Sequence, residues 1–269
     1  MAVPDLRHVQ AGDLNIGYRE AGSGPALFFV HGMGGGSGNW ETQYDRFADR
    51  YRVIGWDAPG YGESTAFESD PPSVGDYVMA MADFLDALGI EKVHLVGHSY
   101  GGIMVAGFQR AFRDRVLSLT LAQPVIGGGV ADVKTRDEGI RERAEELERL
   151  GMDGFAKKHV PFSCSPDAAP EVIARGIAIT AAMNPAGYLR QFRSLRHANI
   201  FEWTMRPRVP AMIVSGADDR TASRKMVEDI AVAMPGIRHR VIEGIGHMIY
   251  LEHPERFNVL LEDLLARAG

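Results

Sequence analysis

The chain has 269 residues, 45% hydrophobic and 24% charged, which is enough to bury one large core. The formal net charge of −6 provides no basic field, so binding to nucleic acid or to an anionic membrane is not expected. A single cysteine, Cys164, excludes an intrachain disulfide and a cysteine-cluster metal site. Because the N-terminal residues lack a secretory-signal layout and no apolar window could span a membrane, we expect a cytoplasmic protein.

The N-terminal third alternates between strand and helix patterns. Residues 6–19 predict two strands joined at 11–13, because apolar and polar residues alternate there. Residues 26–30 are continuously apolar, which is typical of a strand buried on both faces. A helix over about 40–49, a strand over 51–56 and a helix over 73–89 follow.

A sharp glycine-flanked turn interrupts the chain after the next apolar strand. Residues 93–96 predict this strand, and Gly97, Ser99 and Gly101 then form a G-x-S-x-G pattern that leads into a helix. In such a turn, larger side chains at the glycine positions would clash across the serine. Residues 116–122 predict another strand, so strand and helix alternate as in a parallel sheet with helices on both faces.

The alternation stops between residues 124 and 207 and then resumes. Helical patterns alone cover 136–150, 170–183 and 185–197, which predicts an inserted helical cap over the carboxyl edge of the sheet. We therefore expect an α/β core formed by 1–124 and 208–269, with a cap over 125–207. The remaining predicted elements of the core are a strand at 211–215, a helix at 223–234, a strand at 239–242 and a final helix that begins near 254.

A serine nucleophile needs a base, and the base needs a carboxylate that holds its tautomer. Among nine histidines, His247 lies in a loop between the last strand and the final helix, where it could reach Ser99. Asp218 and Asp219 follow the strand at 211–215, also at its carboxyl end. The order serine, aspartate, histidine is the order expected with this type of turn.

These motifs together resemble the α/β-hydrolase fold superfamily, and the resemblance covers nearly the whole chain. It implies that Ser99, Asp219 and His247 form the catalytic triad, with Asp218 as the alternative acid, and that Asp57 is structural. It also implies an oxyanion hole made by the backbone amides of Met33, which follows His31-Gly32, and Tyr100. Both side chains are expected to face the pocket. Neither a cofactor nor a metal is expected.

The resemblance implies a cofactor-independent hydrolase of a carboxylic ester or lactone with a small, largely apolar substrate. A serine in the turn argues against relatives with a carboxylate nucleophile, and the glycines at 32–38 match no dinucleotide-binding pattern. Hydrolases of carbon–carbon bonds in aromatic-ring degradation are one alternative, although they often have asparagine and tryptophan where this chain has His98 and Met248. A small-molecule sensor or partner-binding protein on the same fold is the other alternative.

The pocket is less well determined by the sequence. We expect a small-molecule substrate as the only ligand and a monomer or small homo-oligomer. Arg190, Arg193 and Arg196 are interpreted as a solvated helix face rather than as a carboxylate site. Two candidate substrate-binding residues, Trp40 and Met248, lie outside the cap. The candidates within the cap, for which packing between cap helices is the commoner role, are Phe155, Phe162, Met183, Tyr188 and Phe192.

Overall fold

A computed structural model describes residues 3–268 and places an eight-stranded sheet at the centre of the molecule. The strands lie in the order β1-β2-β4-β3-β5-β6-β7-β8 across the sheet. Only the β1–β2 and β2–β4 pairs are antiparallel, and the other pairs are parallel. The strands are β1 (Arg7–Ala11), β2 (Leu14–Ala21), β3 (Ala26–Val30), β4 (Arg52–Trp56), β5 (Val93–His98), β6 (Val116–Ala122), β7 (Ala211–Gly216) and β8 (Arg238–Ile242).

Helices follow most of the strands and cover both faces of the sheet. Along β3, Phe28 packs on one face and Phe29 on the other, because successive side chains of a strand point to opposite faces. This arrangement confirms the predicted α/β class with a mostly parallel sheet. The helices are α1 (Glu41–Phe47), α2 (Val74–Ala87), α3 (Tyr100–Ala111), α4 (Val133–Ser163), α5 (Pro170–Ala181), α6 (Pro185–His197), α7 (Arg224–Val232), α8 (Ile249–Glu252) and α9 (Pro254–Leu265).

Local sequence accounts for several helix boundaries. Ser73 caps α2 by accepting a hydrogen bond from the amide of Asp76, whose carboxylate accepts in return from the amide of Ser73. The helix expected at 40–49 is shorter: a 3₁₀ turn over Ser37–Trp40 leads into α1. Pro254 begins α9, where its missing amide hydrogen leaves no hydrogen bond unmade.

Three helices, α4, α5 and α6, lie between β6 and β7, and we call them the roof helices. The first is much longer than the sequence pattern predicts over 136–150, because the chain continues as a helix beyond Gly151. Gly151 has φ 63° and ψ 173°, a conformation that glycine adopts at no steric cost and that bends α4 into two parts. The predicted helix stops at residue 150, whereas the helix of the structure continues past the kink at Gly151 to Ser163.

No helix within residues 3–268 is both long enough and apolar enough to cross a lipid bilayer. The carboxyl ends of the parallel strands, by contrast, meet under the roof helices, since residues that follow β5 and β8 line a cavity together with residues of α4 and α6. In open α/β sheets this edge is where ligands bind. The cavity is therefore the candidate ligand-binding site.

Candidate active site

The turn between β5 and α3 holds Ser99 in a conformation that side-chain-bearing residues rarely adopt. Ser99 has φ 53° and ψ −117°. A Cβ atom on Gly97 would lie 2.3 Å from the carbonyl oxygen of Gly101, and one on Gly101 would lie 2.3 Å from that of Val30. Only glycine fits at either position, because the opposing atoms are backbone and cannot move away. The two glycines therefore allow the strained turn that presents Ser99 at the sheet edge.

Ser99, His247 and Asp219 come together from three separate loops. His247 Nε2 lies 2.9 Å from Ser99 Oγ, and His247 Nδ1 lies 2.7 Å from Asp219 Oδ2. All three residues are buried, and the Asp219 side chain has no exposed area. A carboxylate accepts at Nδ1, so the Nδ1 proton stays there and Nε2 is free to accept from the serine hydroxyl.

The geometry distinguishes the two neighbouring aspartates. Asp219 Oδ1 accepts hydrogen bonds of 2.8 Å from the amides of Thr221 and Ala222, which leaves Oδ2 for the imidazole of His247. Asp218 points elsewhere, and its Oδ2 accepts a 2.7 Å hydrogen bond from Ser165 Oγ. Asp219, and not Asp218, is therefore the acid that contacts His247.

The loop that carries His247 is held by polar side chains on either side of the histidine. Glu252 accepts hydrogen bonds from the amides of Gly246, at 2.9 Å, and Met248, at 3.0 Å. Gln123 donates to the carbonyl of Gly246 and accepts from the amide of Ile249. These contacts fix the backbone of the loop, so the position of the imidazole does not depend on the loop's own flexibility.

His98 was interpreted as the variable residue of the turn, yet it packs directly against His247. Its Nε2 donates a 2.7 Å hydrogen bond to the carbonyl of His247, and the two rings lie 5.0 Å apart between their centroids. Burial, reinforced by the neighbouring His247, lowers the pKa of His98 to about 3. His98 is therefore neutral at physiological pH and supports the His247 loop as a hydrogen-bond donor.

The loop after β3 approaches Ser99 because His31 and Asp57 hold its backbone. Asp57 Oδ1 accepts a 2.6 Å hydrogen bond from the amide of Ser37, a structural contact as the resemblance implies. His31 Nε2 accepts from the amide of Ala58 at 2.9 Å, which leaves its Nδ1 proton for the carbonyl of Gly32 at 2.8 Å. Burial lowers the pKa of His31, so the ring holds this neutral tautomer.

Met33 and Tyr100 each follow a residue at the serine: Tyr100 follows Ser99 itself, and Met33 follows Gly32, where a Cβ atom would lie 2.7 Å from Ser99 Cβ. Tyr100 is the first residue of α3, so its amide has no acceptor within the helix. Among residues 3–268 neither amide has a hydrogen-bond acceptor. The Met33 side chain lines the cavity as expected, but the ring of Tyr100 does not, because it is wholly buried and its hydroxyl bonds to Ser194 at 2.5 Å. The expectation that both side chains face the pocket is therefore wrong for Tyr100.

A cavity of about 290 Å³ lies between Ser99 and the roof helices. Trp40 does not line it, because its ring is fully buried between Phe29, 4.9 Å away, and Tyr250, 5.2 Å away. Met183 instead lines a neighbouring cavity of about 260 Å³. Of the candidate substrate-binding residues, those that do line the cavity above Ser99 are Phe155, Phe162, Tyr188, Phe192 and Met248.

The cavity also has polar lining residues that the sequence pattern did not single out. Arg143, His159 and Thr180 come from the roof helices, and Thr221 comes from the loop after β7. Arg143 is one of many charged residues on a solvated stretch of α4, so no local signal distinguished it. Within the described part of the chain, no cluster of three or more histidine, cysteine, aspartate or glutamate residues is arranged to hold a metal ion.

Known proteins match nearly the whole length of the chain. An uncharacterized protein of Mycobacterium tuberculosis is 29% identical over 97% of this chain and 81% of its own length. A 2-hydroxy-6-oxononadienedioate/2-hydroxy-6-oxononatrienedioate hydrolase of Comamonas testosteroni is 27% identical over 94% of this chain and 92% of its own length.

Solved structures share the fold across the whole chain. A thermophilic esterase from Thermogutta terrifontis matches with a TM-score of 0.86 and 23% identity, over 98% of this chain and 99% of the esterase. The enol-lactonase from Burkholderia xenovorans matches with a TM-score of 0.86 and 21% identity, over 97% of this chain and 100% of the lactonase. A family model described as alpha/beta hydrolase fold matches residues 25–254. The chain therefore belongs to the alpha/beta hydrolase fold family and is a hydrolase.

Proposed function

We propose that this protein hydrolyses a carboxylic ester or lactone of a small, largely apolar substrate through an acyl-enzyme on Ser99. The observation that carries the proposal is the hydrogen-bonded series of Ser99, His247 and Asp219, with contacts of 2.9 and 2.7 Å, at the floor of a cavity. A serine hydroxyl becomes a nucleophile when an oriented imidazole takes its proton. The series provides that imidazole and the carboxylate that orients it.

The proposed reaction has two steps that use the same imidazole. In the first, His247 Nε2 takes the hydroxyl proton while Ser99 Oγ attacks the substrate carbonyl, and His247 then protonates the leaving alcohol. In the second, His247 takes a proton from water, the resulting hydroxide attacks the acyl-enzyme, and the acid leaves as Ser99 regains its proton. Asp219 stabilises the imidazolium in both steps.

The negative charge on the carbonyl oxygen needs hydrogen-bond donors in each step. We assign this role to the amides of Met33 and Tyr100, which lie beside Ser99 and have no other acceptor among residues 3–268. The Tyr100 amide also lies at the N-terminus of α3, where the helix dipole favours negative charge. The proposed chemistry requires no metal or cofactor, because the chain supplies the nucleophile, the base and the donors.

The volume and lining of the cavity support a small substrate. A cavity of about 290 Å³ is at the lower end of the range of roughly 300–1,000 Å³ for small-molecule sites. Its walls are mainly the side chains of Met33, Phe155, Phe192 and Met248. A short acyl group or a small lactone ring is therefore favoured over a long lipid chain.

The proposal is tested with p-nitrophenyl esters of increasing acyl length, by following the release of p-nitrophenol in a stopped-flow spectrophotometer. We expect a burst of p-nitrophenol from acyl-enzyme formation, followed by steady turnover that is fastest for short chains. Ser99→Ala should lower kcat/KM by a factor on the order of 10⁴ to 10⁶. Ser215→Ala is the matched control, because Ser215 also bonds to a histidine, His239 at 2.7 Å, but does not line the cavity.

Equal turnover by the Ser99→Ala protein and the wild type would reject the proposal. A stoichiometric burst followed by extremely slow turnover would instead favour a small-molecule sensor, in which Ser99 reacts with an activated ester but the site does not turn over rapidly. Circular dichroism and thermal melting of both serine variants verify that any loss of activity is not a loss of fold.

Hydrolysis of a carbon–carbon bond is the second candidate, and the names of several relatives favour it. Relatives from Burkholderia cepacia and Comamonas testosteroni that are named 2-hydroxy-6-oxo-6-phenylhexa-2,4-dienoate hydrolase are 27% and 28% identical over 94% of this chain. We rank this candidate second because His98 and Met248 stand where that subgroup often has asparagine and tryptophan. Comparing kcat/KM for 2-hydroxy-6-oxo-6-phenylhexa-2,4-dienoate with that for p-nitrophenyl butyrate separates the two, and a higher value for the dienoate would reverse the ranking.

A further inference from the structure

One guanidinium lines the cavity opposite Ser99. Arg143, on the first part of α4, lies over the rings of Phe155 and Phe192, with its central carbon 5.1 and 4.8 Å from their centroids. Its Nη1 donates a 3.0 Å hydrogen bond to the hydroxyl of Tyr188. All of these residues line the cavity that Ser99 and His247 line. The cation therefore lies in the aromatic part of the roof and not among solvated charges.

The nearest carboxylate is already used by other residues. Glu146, one turn along α4, bonds to Lys158 and, at 2.8 Å, to His159 Nε2. Burial lowers the pKa of His159, so this imidazole adds no charge at neutral pH. Glu146 is thus paired with Lys158 rather than with Arg143. Within residues 3–268 Arg143 forms no ion pair.

The arginines of α6, considered in the sequence as a possible carboxylate site, are engaged elsewhere. Arg193 forms two hydrogen bonds with Asp70, of 2.8 and 2.6 Å, and Arg190 donates to the carbonyl of Phe67. Arg196 donates to the carbonyl of Thr135 at 3.1 Å. None of these three lines the cavity above Ser99, and among the described residues Arg143 is the only lysine or arginine that does.

We propose that Arg143 binds a carboxylate carried by the substrate, so that the preferred substrate is an ester or lactone with a free acid group away from the scissile carbonyl. This inference rests on the proposed function. A guanidinium between two rings uses its faces for packing and keeps its N–H edge for a planar, bidentate partner. One of its five donors is bound to Tyr188, so the others are available to a carboxylate.

The proposal adds one polar contact to a cavity whose walls are otherwise mainly apolar. An ester held by Arg143 at one end and by the amides of Met33 and Tyr100 at the other has only one productive orientation over Ser99. Arg143 is thus a specificity-determining residue, because it acts on the distal end of the substrate and not on the reacting atoms. A purely structural Arg143, which only supports Tyr188, would give no preference between charged and neutral esters.

The test compares matched esters with and without a carboxylate. One pair carries the charge on the acyl side, p-nitrophenyl hydrogen glutarate against p-nitrophenyl valerate. The other carries it on the leaving group, 4-acetoxybenzoate against its methyl ester. We expect kcat/KM for the acid of at least one pair to exceed that of its neutral partner by roughly tenfold, the ratio of one charge-assisted hydrogen bond. Added salt should reduce this ratio, because it screens the charge of Arg143.

Arg143→Met keeps an aliphatic side chain of similar length and should reduce the acid-to-neutral ratio by about 10- to 100-fold, mainly through KM. Arg143→Lys retains the charge without the planar fork and should keep part of the ratio. Arg149→Met, an exposed arginine on the same helix, is the matched control and should leave the ratio within about twofold. The wild-type preference and its salt dependence still decide the question if Arg143→Met does not fold.

Two results would overturn the inference: no preference for the acid in either pair, or an unchanged ratio in Arg143→Met. Failure of the proposed function looks different, because neither ester would then be turned over in a Ser99-dependent way. In that case calorimetric titration of Ser99→Ala with glutarate isolates the binding step. Binding that disappears in the Ser99→Ala, Arg143→Met double variant would support the carboxylate site, and absence of binding would reject it.

Discussion

The floor and the roof of the cavity are built in different ways. On the floor, backbone contacts set the positions of Ser99 and His247, through the glycines at 97 and 101 and the hydrogen bonds to Gln123 and Glu252. In the roof, long side chains of α4 and α6 line the cavity and contact one another through aromatic and cation–π interactions. The comparison indicates that changes to the floor alter the chemistry, whereas changes to the roof alter which molecule is processed.

The largest expected effect separates two neighbouring residues of the floor. Asp219→Asn should lower kcat by a factor on the order of 10² to 10⁴, because the amide cannot hold the required tautomer of His247. Asp218→Asn should change kcat by less than about threefold, since Asp218 bonds to Ser165 and not to the imidazole. Steady-state kinetics on a p-nitrophenyl ester measure both. Equal losses in the two variants would contradict the assignment of the acid.

A second prediction concerns the contribution of close backbone contacts in the floor to the stability of the fold. Gly101→Ala should lower the free energy of unfolding by about 3 kcal/mol or more, because its Cβ would lie 2.3 Å from the carbonyl oxygen of Val30. Gly75→Ala, in α2, is the matched control: its Cβ would meet only Ser73 Oγ, at 3.4 Å, so a change within about 1 kcal/mol is expected. Urea titrations give both values, and a well-tolerated Gly101→Ala would remove the steric argument.

Two buried histidines of β5, the strand that leads to Ser99, should make the protein acid-sensitive. Burial lowers the folded-state pKa of His98 to about 3 and of His94 to about 4, both below the ordinary value, so the unfolded chain binds more protons. Stability is then complete above about pH 6.5 and falls as the pH decreases, by up to about 1.4 kcal/mol per pH unit for each histidine. Urea titrations between about pH 4.5 and 6 measure this slope, above the range where carboxylates titrate.

Replacing each histidine locates the acid sensitivity. His98→Asn and His94→Asn should each make the slope shallower by up to about 1.4 kcal/mol per pH unit. Only His98→Asn should also lower kcat, because His98 donates to the carbonyl of His247 whereas His94 bonds to Ser118 away from the cavity. An unchanged slope in both variants would show that other groups control acid unfolding.

The smallest expected effect belongs to the roof. Phe192→Ala should raise KM for short apolar esters by about tenfold and change kcat by less than about threefold, because Phe192 lines the cavity but contacts no group of the proposed reaction. Val232→Ala, an exposed residue of α7, serves as the control. If Phe192→Ala instead lowers kcat as strongly as Asp219→Asn, the division between floor and roof does not hold.

Much of the fold and of the floor could be predicted from the sequence because both are local patterns. A continuous apolar run predicted the buried strand at 26–30, and a short, largely apolar stretch predicted the strand at 116–122. Both strands are present with those bounds. The spacing of glycines around Ser99 reports directly on a turn that tolerates no Cβ. His247 could be distinguished among nine histidines because it lies in a loop that follows a strand. Loops at the carboxyl ends of parallel strands lie at the same edge of the sheet as Ser99.

The roof could not be predicted in the same way, because its contacts join residues that are distant in sequence. Trp40 was expected near the pocket, yet it belongs to the core between Phe29 and Tyr250. Arg143 carries no local signal on a helix rich in charged residues, and its role appears only when Tyr188 and Phe192 pack beside it. The kink at Gly151 could not be predicted either, because a glycine with positive φ commonly ends a helix. Here the chain continues as a helix beyond it.

One contact joins the two regions: the amide of His247 donates a 2.6 Å hydrogen bond to the carbonyl of Ser163, the last residue of α4. This end of the helix is tethered to the residue that carries the base. The position of the catalytic imidazole is therefore coupled to the C-terminal end of a roof helix. A substitution that shifts this end of α4 should also displace the backbone of His247, even though it lies outside the loops that carry the triad.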